Sequence, residues 1–176
     1  MSESVTVRRE RPIDEDAIRA ITDAAFAPSE DESRIVDALR AAGDAIPVLS
    51  LVAATADGTV VGHCVTSRGA LVLNGGGERE VLILGPISVA PDRQRQGIGA
   101  ALMRETIAIA AAEEWPLIVL LGHPAWYPRF GFRPARSVGI EPPMPWSDQA
   151  WMVLPLRSWT SALRGTVRFP PAFGVG

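Results

Sequence analysis

The stretch Val81-Leu82-Ile83-Leu84-Gly85-Pro86-Ile87-Ser88-Val89 is followed, past Ala90-Pro91-Asp92-Arg93, by Gln94-Arg95-Gln96-Gly97-Ile98-Gly99-Ala100. The first part reads as a long apolar strand with an interruption at Gly85-Pro86. Proline has no amide for a ladder, so it marks a bulge or a place where pairing opens. The second part opens a helix expected over Gly97 to Glu114. Ala100, Ala101, Leu102, Met103, Arg104 and Glu105 are strong helix formers, and Trp115-Pro116 ends the run. The first amides of a helix lack intrahelical partners, and the positive end of the helix dipole lies behind them. Gly97 and Gly99 remove side chains where a ligand must approach backbone. The combination suits a phosphate or pyrophosphate, with Arg93 and Arg95 placed to reach further phosphates. Two other phosphate loops do not fit. The nucleoside-triphosphate loop needs a Gly-Lys-Ser/Thr ending, and no lysine stands here. The dinucleotide loop needs a third glycine where Leu102 stands. Taken alone, the stretch also fits a plain tight turn from strand to helix.

Working outward, Val5 to Arg9 alternates like a short edge strand. Ile18, Ile21, Ala25 and Phe26 give an apolar helical stripe that Pro28-Ser29 breaks. A second helix is expected from Glu32 to Ala42, closed by Gly43. Leu49 to Thr55 and Val60 to Ser67 read as strands joined by the turn residues Ala56-Asp57-Gly58. Leu71-Val72-Leu73 continues the sheet up to the loop Asn74-Gly75-Gly76-Gly77. Beyond the central helix, Leu117 to Leu121 is a buried strand, Tyr127 to Phe132 a short helical turn, and Trp151 to Leu156 a last strand. The order predicts an α/β (α+β mixed) fold, with a central mixed, mostly antiparallel sheet flanked by helices on both faces. Residues 157–176 carry Trp159, Leu163, Val167, Phe169 and Phe173, so they are expected to pack along the domain as a C-terminal extension.

The chain has 176 residues, 47% of them hydrophobic, which suits one domain with a real core and excludes overall disorder. A net charge of −3 argues against broad binding to nucleic acid or an anionic membrane. There is one cysteine, Cys64, so no intrachain disulfide forms, and Cys64 reads as buried filler. With only His63 and His123 besides, no metal site is expected. Met1 to Val5 has no secretory character, and the apolar runs are shorter than the ~20 residues that span a bilayer. The expected location is the cytoplasm.

The signature Gln94-x-x-Gly97-x-Gly99, with Pro124-Ala125-Trp126-Tyr127-Pro128-Arg129-Phe130-Gly131-Phe132 downstream, resembles the GNAT superfamily of acetyl-CoA-dependent N-acetyltransferases. The resemblance covers roughly residues 5–156, the expected domain. Leu84-Gly85-Pro86 and Leu121-Gly122-His123-Pro124 look like a bacterial subgroup of predicted N-acetyltransferases. The resemblance implies that Gln94, Arg95, Gln96, Gly97, Ile98, Gly99 and Ala100 cradle the coenzyme A pyrophosphate. It implies that Ile87, Ser88 and Val89 offer backbone groups to the pantetheine arm, with an amide at or next to Val89 meeting the oxyanion. It makes Tyr127, the only tyrosine, the acid that protonates the departing sulfur. An ordinary phenol pKa of about 10 keeps it protonated at neutral pH. His123, directly after a strand, is a candidate base or substrate contact. His63 is weighed as a base against a core role. Glu30, Asp31 and Glu32 would favour a cationic amine, or simply cap a helix. Glu78 and Glu80 stand too early on their strand to replace its missing carboxylate.

The expected function is transfer of an acetyl group from acetyl-CoA to a primary amine by direct attack. A homodimer is a reasonable assembly, with no nucleic acid or membrane partner. The alternatives are a non-catalytic acyl-CoA-binding or regulatory domain, and an acyltransferase with a different donor.

Overall fold

The computed structural model describes residues 4–175. The chain forms two compact units. One runs through Thr66 and adds Gly85–Ile109; the other comprises Ser67–Leu84 and the chain from Ala110 onward.

In the first unit, β1 (Val5–Arg9) pairs antiparallel with β2 (Leu51–Thr55), and β2 pairs with the opening half of β3 (Val60–Leu73). The second strand begins at Leu51 and not at Leu49, because Pro47–Leu49 forms a 3-10 turn. Two helices, α1 (Glu15–Phe26) and α2 (Asp31–Ala42), lie between β1 and β2 in sequence. A third, α3 (Ile98–Ala112), follows β4 (Glu78–Val89). Successive side chains of a strand point to opposite faces, and β3 shows where the helices lie. A Cβ at Gly62 would meet Ile98 and Leu102 of α3 at 3.0 and 3.1 Å, and the Thr106 hydroxyl of α3 reaches the Cys64 sulfur at 3.8 Å. His63, between them, points the other way. It meets Glu10, which Arg40 of α2 also binds. Helices therefore cover both faces of this part of the sheet. The last helix stops at Ala112, two residues short of expectation, because Glu114 turns left-handed (φ 59°) and the Trp115 amide bonds back to the Ala110 carbonyl.

In the second unit, the first half of β4 pairs in parallel with β5 (Leu117–Leu121) at Leu82–Ile118 and Ile83–Val119. Antiparallel pairing joins β5 to β8 (Trp151–Pro155) and β8 to β6 (Arg133–Pro134). The C-terminal stretch enters the sheet: β9 (Gly165–Arg168) pairs antiparallel with the end of β3 and in parallel with β7 (Ile140–Glu141). The odd-numbered residues Leu71, Val81, Ile83, Leu117, Val119, Trp151, Val153 and Val167 form one buried face, with Phe169 against it. Trp146, Trp159, Leu163 and Phe173 pack on this cluster. Trp146 stacks near Trp151 and Phe169, at 5.6 and 5.5 Å between ring centres, so it works as core.

Among the described residues, nine strands hydrogen-bond in the order β1-β2-β3-β4-β5-β8-β6, with β9 joined to β3 and β7. The sheet is mixed and mostly antiparallel, as expected. The strand β4 runs unbroken through the cis Gly85-Pro86 bond, and its described pairing with β5 lies before Gly85.

Candidate active site

The loop between β4 and α3 has the donors that could hold an anion. A 3-10 turn over Pro91–Arg93 leads into Gln94, which is extended. Arg95 (φ 61°) and Gly97 (φ 86°) are then both left-handed. Left-handed backbone is natural for glycine and uncommon for arginine. The Gln94 side-chain amide donates to the Val89 carbonyl at 3.2 Å, and that of Gln96 donates to the Asp92 carbonyl at 3.2 Å. These side chains brace the loop from within. The first α-helical bond runs from the Ala101 amide to the Gly97 carbonyl at 2.9 Å. The amides of Ile98, Gly99 and Ala100 precede it and have no intrahelical partner. A Cβ built on Gly97 meets nothing within 4 Å, so the space above the loop is open to a ligand. Arg93, Gln96, Gly97, Ile98 and Ala101 line an open cavity of about 300 Å³. A pyrophosphate fits this donor set.

The strand leading to the loop is anchored. The Ser88 and Thr22 hydroxyls of β4 and α1 lie 3.1 Å apart, both buried, so the Ser88 side chain is engaged and only its backbone remains for a ligand. The Ala90 amide donates to Val61 at 2.9 Å. That removes Ala90 from the amides near Val89 that could meet an oxyanion.

In the second unit, the tyrosine motif has a simple mechanical basis. Tyr127–Phe130 makes one 3-10 turn, which Gly131 stops in a left-handed conformation (φ 95°), its amide bonding the Pro128 carbonyl. Phe132 then returns to pack edge-on against Tyr127 at 5.8 Å. Trp126 packs on the tyrosine ring at 4.9 Å, and Tyr127 is only 8% exposed. His123 is exposed, and its Nδ1 accepts the Ala125 amide at 3.3 Å. That bond places the proton of a neutral ring on Nε2, so His123 presents a donor and not a free basic nitrogen.

Several other candidates are committed elsewhere. His63 is fully buried, with Nε2 2.8 Å from Glu10. Burial works to raise the Glu10 carboxyl, but its bonds to His63 and then Arg40 outweigh this and hold it below its ordinary range. Glu30 and Asp31 pair with Arg34, and Glu32 accepts from Ser29. These acids serve the start of α2. Glu78 pairs with Arg168. Cys64 is buried, and burial pushes its thiol up to about 12 against a weaker pull from the Thr106 hydroxyl, so no thiolate nucleophile forms there. The Glu10–His63–Arg40 network was not legible beforehand, since Glu10 and Arg40 carry no motif. No helix among the described residues is long and apolar enough to cross a membrane.

Known proteins resemble this chain in sequence and in fold. A family model described as the acetyltransferase (GNAT) domain matches residues 6–135. The chain is 32% identical over 158 residues to the uncharacterized N-acetyltransferase YjhQ of Escherichia coli K12, covering 86% of this chain and 84% of YjhQ. Its fold is similar to the crystal structure of the GNAT family N-acetyltransferase YhbS from Escherichia coli in complex with CoA, with a TM-score of 0.88 and 26% identity, covering 99% of this chain and 94% of that one. It is also similar to a GNAT family acetyltransferase from Brucella melitensis in complex with acetyl-CoA, with a TM-score of 0.78 and 37% identity, covering 97% and 99%. With the family model spanning most of its length and a relative 32% identical along it, this chain belongs to the GNAT acetyltransferase family.

Proposed function

We propose that the protein transfers an acetyl group from acetyl-CoA to a primary amine by direct attack. The observation that carries this reading is the β4–α3 loop: left-handed Arg95 and Gly97, open space above Gly97, and helix-start amides without intrahelical partners. The CoA and acetyl-CoA held by the two solved relatives support the same ligand here. Bound acetyl-CoA supplies an activated thioester. The loop from Gln94 to Ala100 holds its pyrophosphate, and the backbone of Ile87, Ser88 and Val89 aligns its arm. The neutral amine attacks the thioester carbonyl. The new N–C bond forms, the C–S bond breaks, and Tyr127 gives its phenolic proton to the sulfur. The proton released by the amine restores the phenol. The Val89 amide meets the negative charge that builds on the carbonyl oxygen. His123 serves as a substrate contact through its Nε2 proton. Direct attack is favoured over an acetyl-enzyme because Cys64, the only cysteine, is buried and its thiol is pushed up to about 12. We place the reaction in the cytoplasm and treat a homodimer as its expected assembly.

The test is release of free coenzyme A from acetyl-CoA over a panel of primary amines, with Tyr127→Phe beside the wild type. Wild-type turnover with an acetylated product, and a loss of about a hundredfold in kcat for the variant at unchanged acetyl-CoA affinity, is the expected outcome. Equal turnover by both proteins removes Tyr127 from the chemistry.

A further inference from the structure

Gly122 lies one residue past β5, and its φ is outside the left-handed region, so its backbone conformation does not demand glycine. Space does. A Cβ there would stand 2.9 Å from Tyr127 Cδ2, closer still to Cε2, and 3.0 Å from Leu120 Cδ1. Real Cβ atoms do not approach a ring carbon so closely, so one side must move. The glycine is pinned, because its amide donates to the Ala150 carbonyl at 2.9 Å and extends the β5–β8 ladder. The ring has little room to retreat, with Trp126 edge-on at 4.9 Å and Phe132 at 5.8 Å. The hydroxyl sits at the far end of a rigid ring, so a shift at Cδ2 and Cε2 is carried to it.

We infer that Gly122 is the seat of the Tyr127 ring and a positioning residue for its hydroxyl. This rests on the acid role proposed above. A glycine kept only for packing would affect stability in the same way whether or not the hydroxyl is present. A seat for the hydroxyl would affect turnover only while the hydroxyl is there.

The chain has one tyrosine, so protein labelled with 3-fluorotyrosine reports Tyr127 alone by fluorine NMR. The resonance should move in Gly122→Ala and stay in place in Gly75→Ala, a loop glycine whose added Cβ meets nothing within 4 Å. Turnover of acetyl-CoA with methylamine at high concentration, read as free coenzyme A, should fall roughly tenfold to a hundredfold in Gly122→Ala at unchanged KM for acetyl-CoA. The double variant with Tyr127→Phe should be no slower than Tyr127→Phe alone. An unmoved resonance overturns the seat even if activity is too low to follow. An equal fall in both backgrounds overturns the positioning role. A Tyr127→Phe protein as fast as wild type, with the resonance still moved by Gly122→Ala, overturns the acid role on which the positioning role rests, and leaves only a packing contact.

Discussion

Replacing Asp14 with asparagine should remove a measurable share of stability and most of one acid transition. Asp14 sits just before α1, only 4% exposed. Arg8 of β1 donates to both its oxygens at 2.7 and 3.0 Å, and the Arg11 amide donates at 2.7 Å. The Arg8 bond above all, against the opposing effect of burial, lowers its pKa from 3.8 to about 2. A pKa below the unfolded value means that folding favours the carboxylate. The contribution is complete above pH 3.8, fades as the pH falls toward 2, and is gone below that. At roughly 1.4 kcal/mol per pH unit, it amounts to about 2 kcal/mol at neutral pH. Asp14→Asn should therefore lose about 2 kcal/mol at pH 7 in urea unfolding, and roughly 4–8 °C in Tm for a chain of this size. Between pH 4 and 2 the two proteins should converge. A variant as stable as wild type at pH 7, or a gap that persists unchanged to pH 2, would refute the reasoning.

Two further outcomes follow from the core of the first unit. Cys64→Ala should keep acetyl-CoA turnover, and the wild-type thiol should react with a disulfide reagent only in denaturant; loss of turnover on substitution would reopen an acetyl-enzyme. Glu10→Ala leaves the buried His63 without its partner, while the half-buried Arg40 keeps Asp37 and Glu15, and should cost about 2 kcal/mol in urea unfolding. A change under about 0.5 kcal/mol would show that the network contributes little.

The parts of the fold that depend on local chemistry were legible in the sequence. The run of helix formers after Gly97 gave α3 to within a turn, and the strand of Val, Leu and Ile residues before it gave β4. The spacing of Tyr127 to Gly131-Phe132 was recognisable because one 3-10 turn, a left-handed stop and a returning aromatic need those residues at those positions. The short strands were not legible. Arg133–Pro134 and Ile140–Glu141 are two residues each and exist only through distant partners. Gly165–Arg168 crosses the end of β3 at a glycine whose added Cβ would run into the Val72 carbonyl. That crossing is visible only once β3 and β9 are paired. The same holds at the candidate site. Gln94, Gly97 and Tyr127 announce themselves by motif. The Ser88–Thr22 hydroxyl pair, the bond that sets the His123 tautomer and the seat at Gly122 are relations between residues, with no pattern of their own.

The central claim is that the β4–α3 loop holds acetyl-CoA. Calorimetric titration of acetyl-CoA into the wild type and into Gly97→Trp tests it directly. The added side chain meets no protein atom at Cβ and strains a left-handed residue, at a cost of about 1–2 kcal/mol, so the variant should stay folded while its bulk fills the space above the loop. Saturable binding to the wild type that is lost in the folded variant is the expected result. No binding to well-folded wild type, or equal binding to both proteins, would contradict the claim.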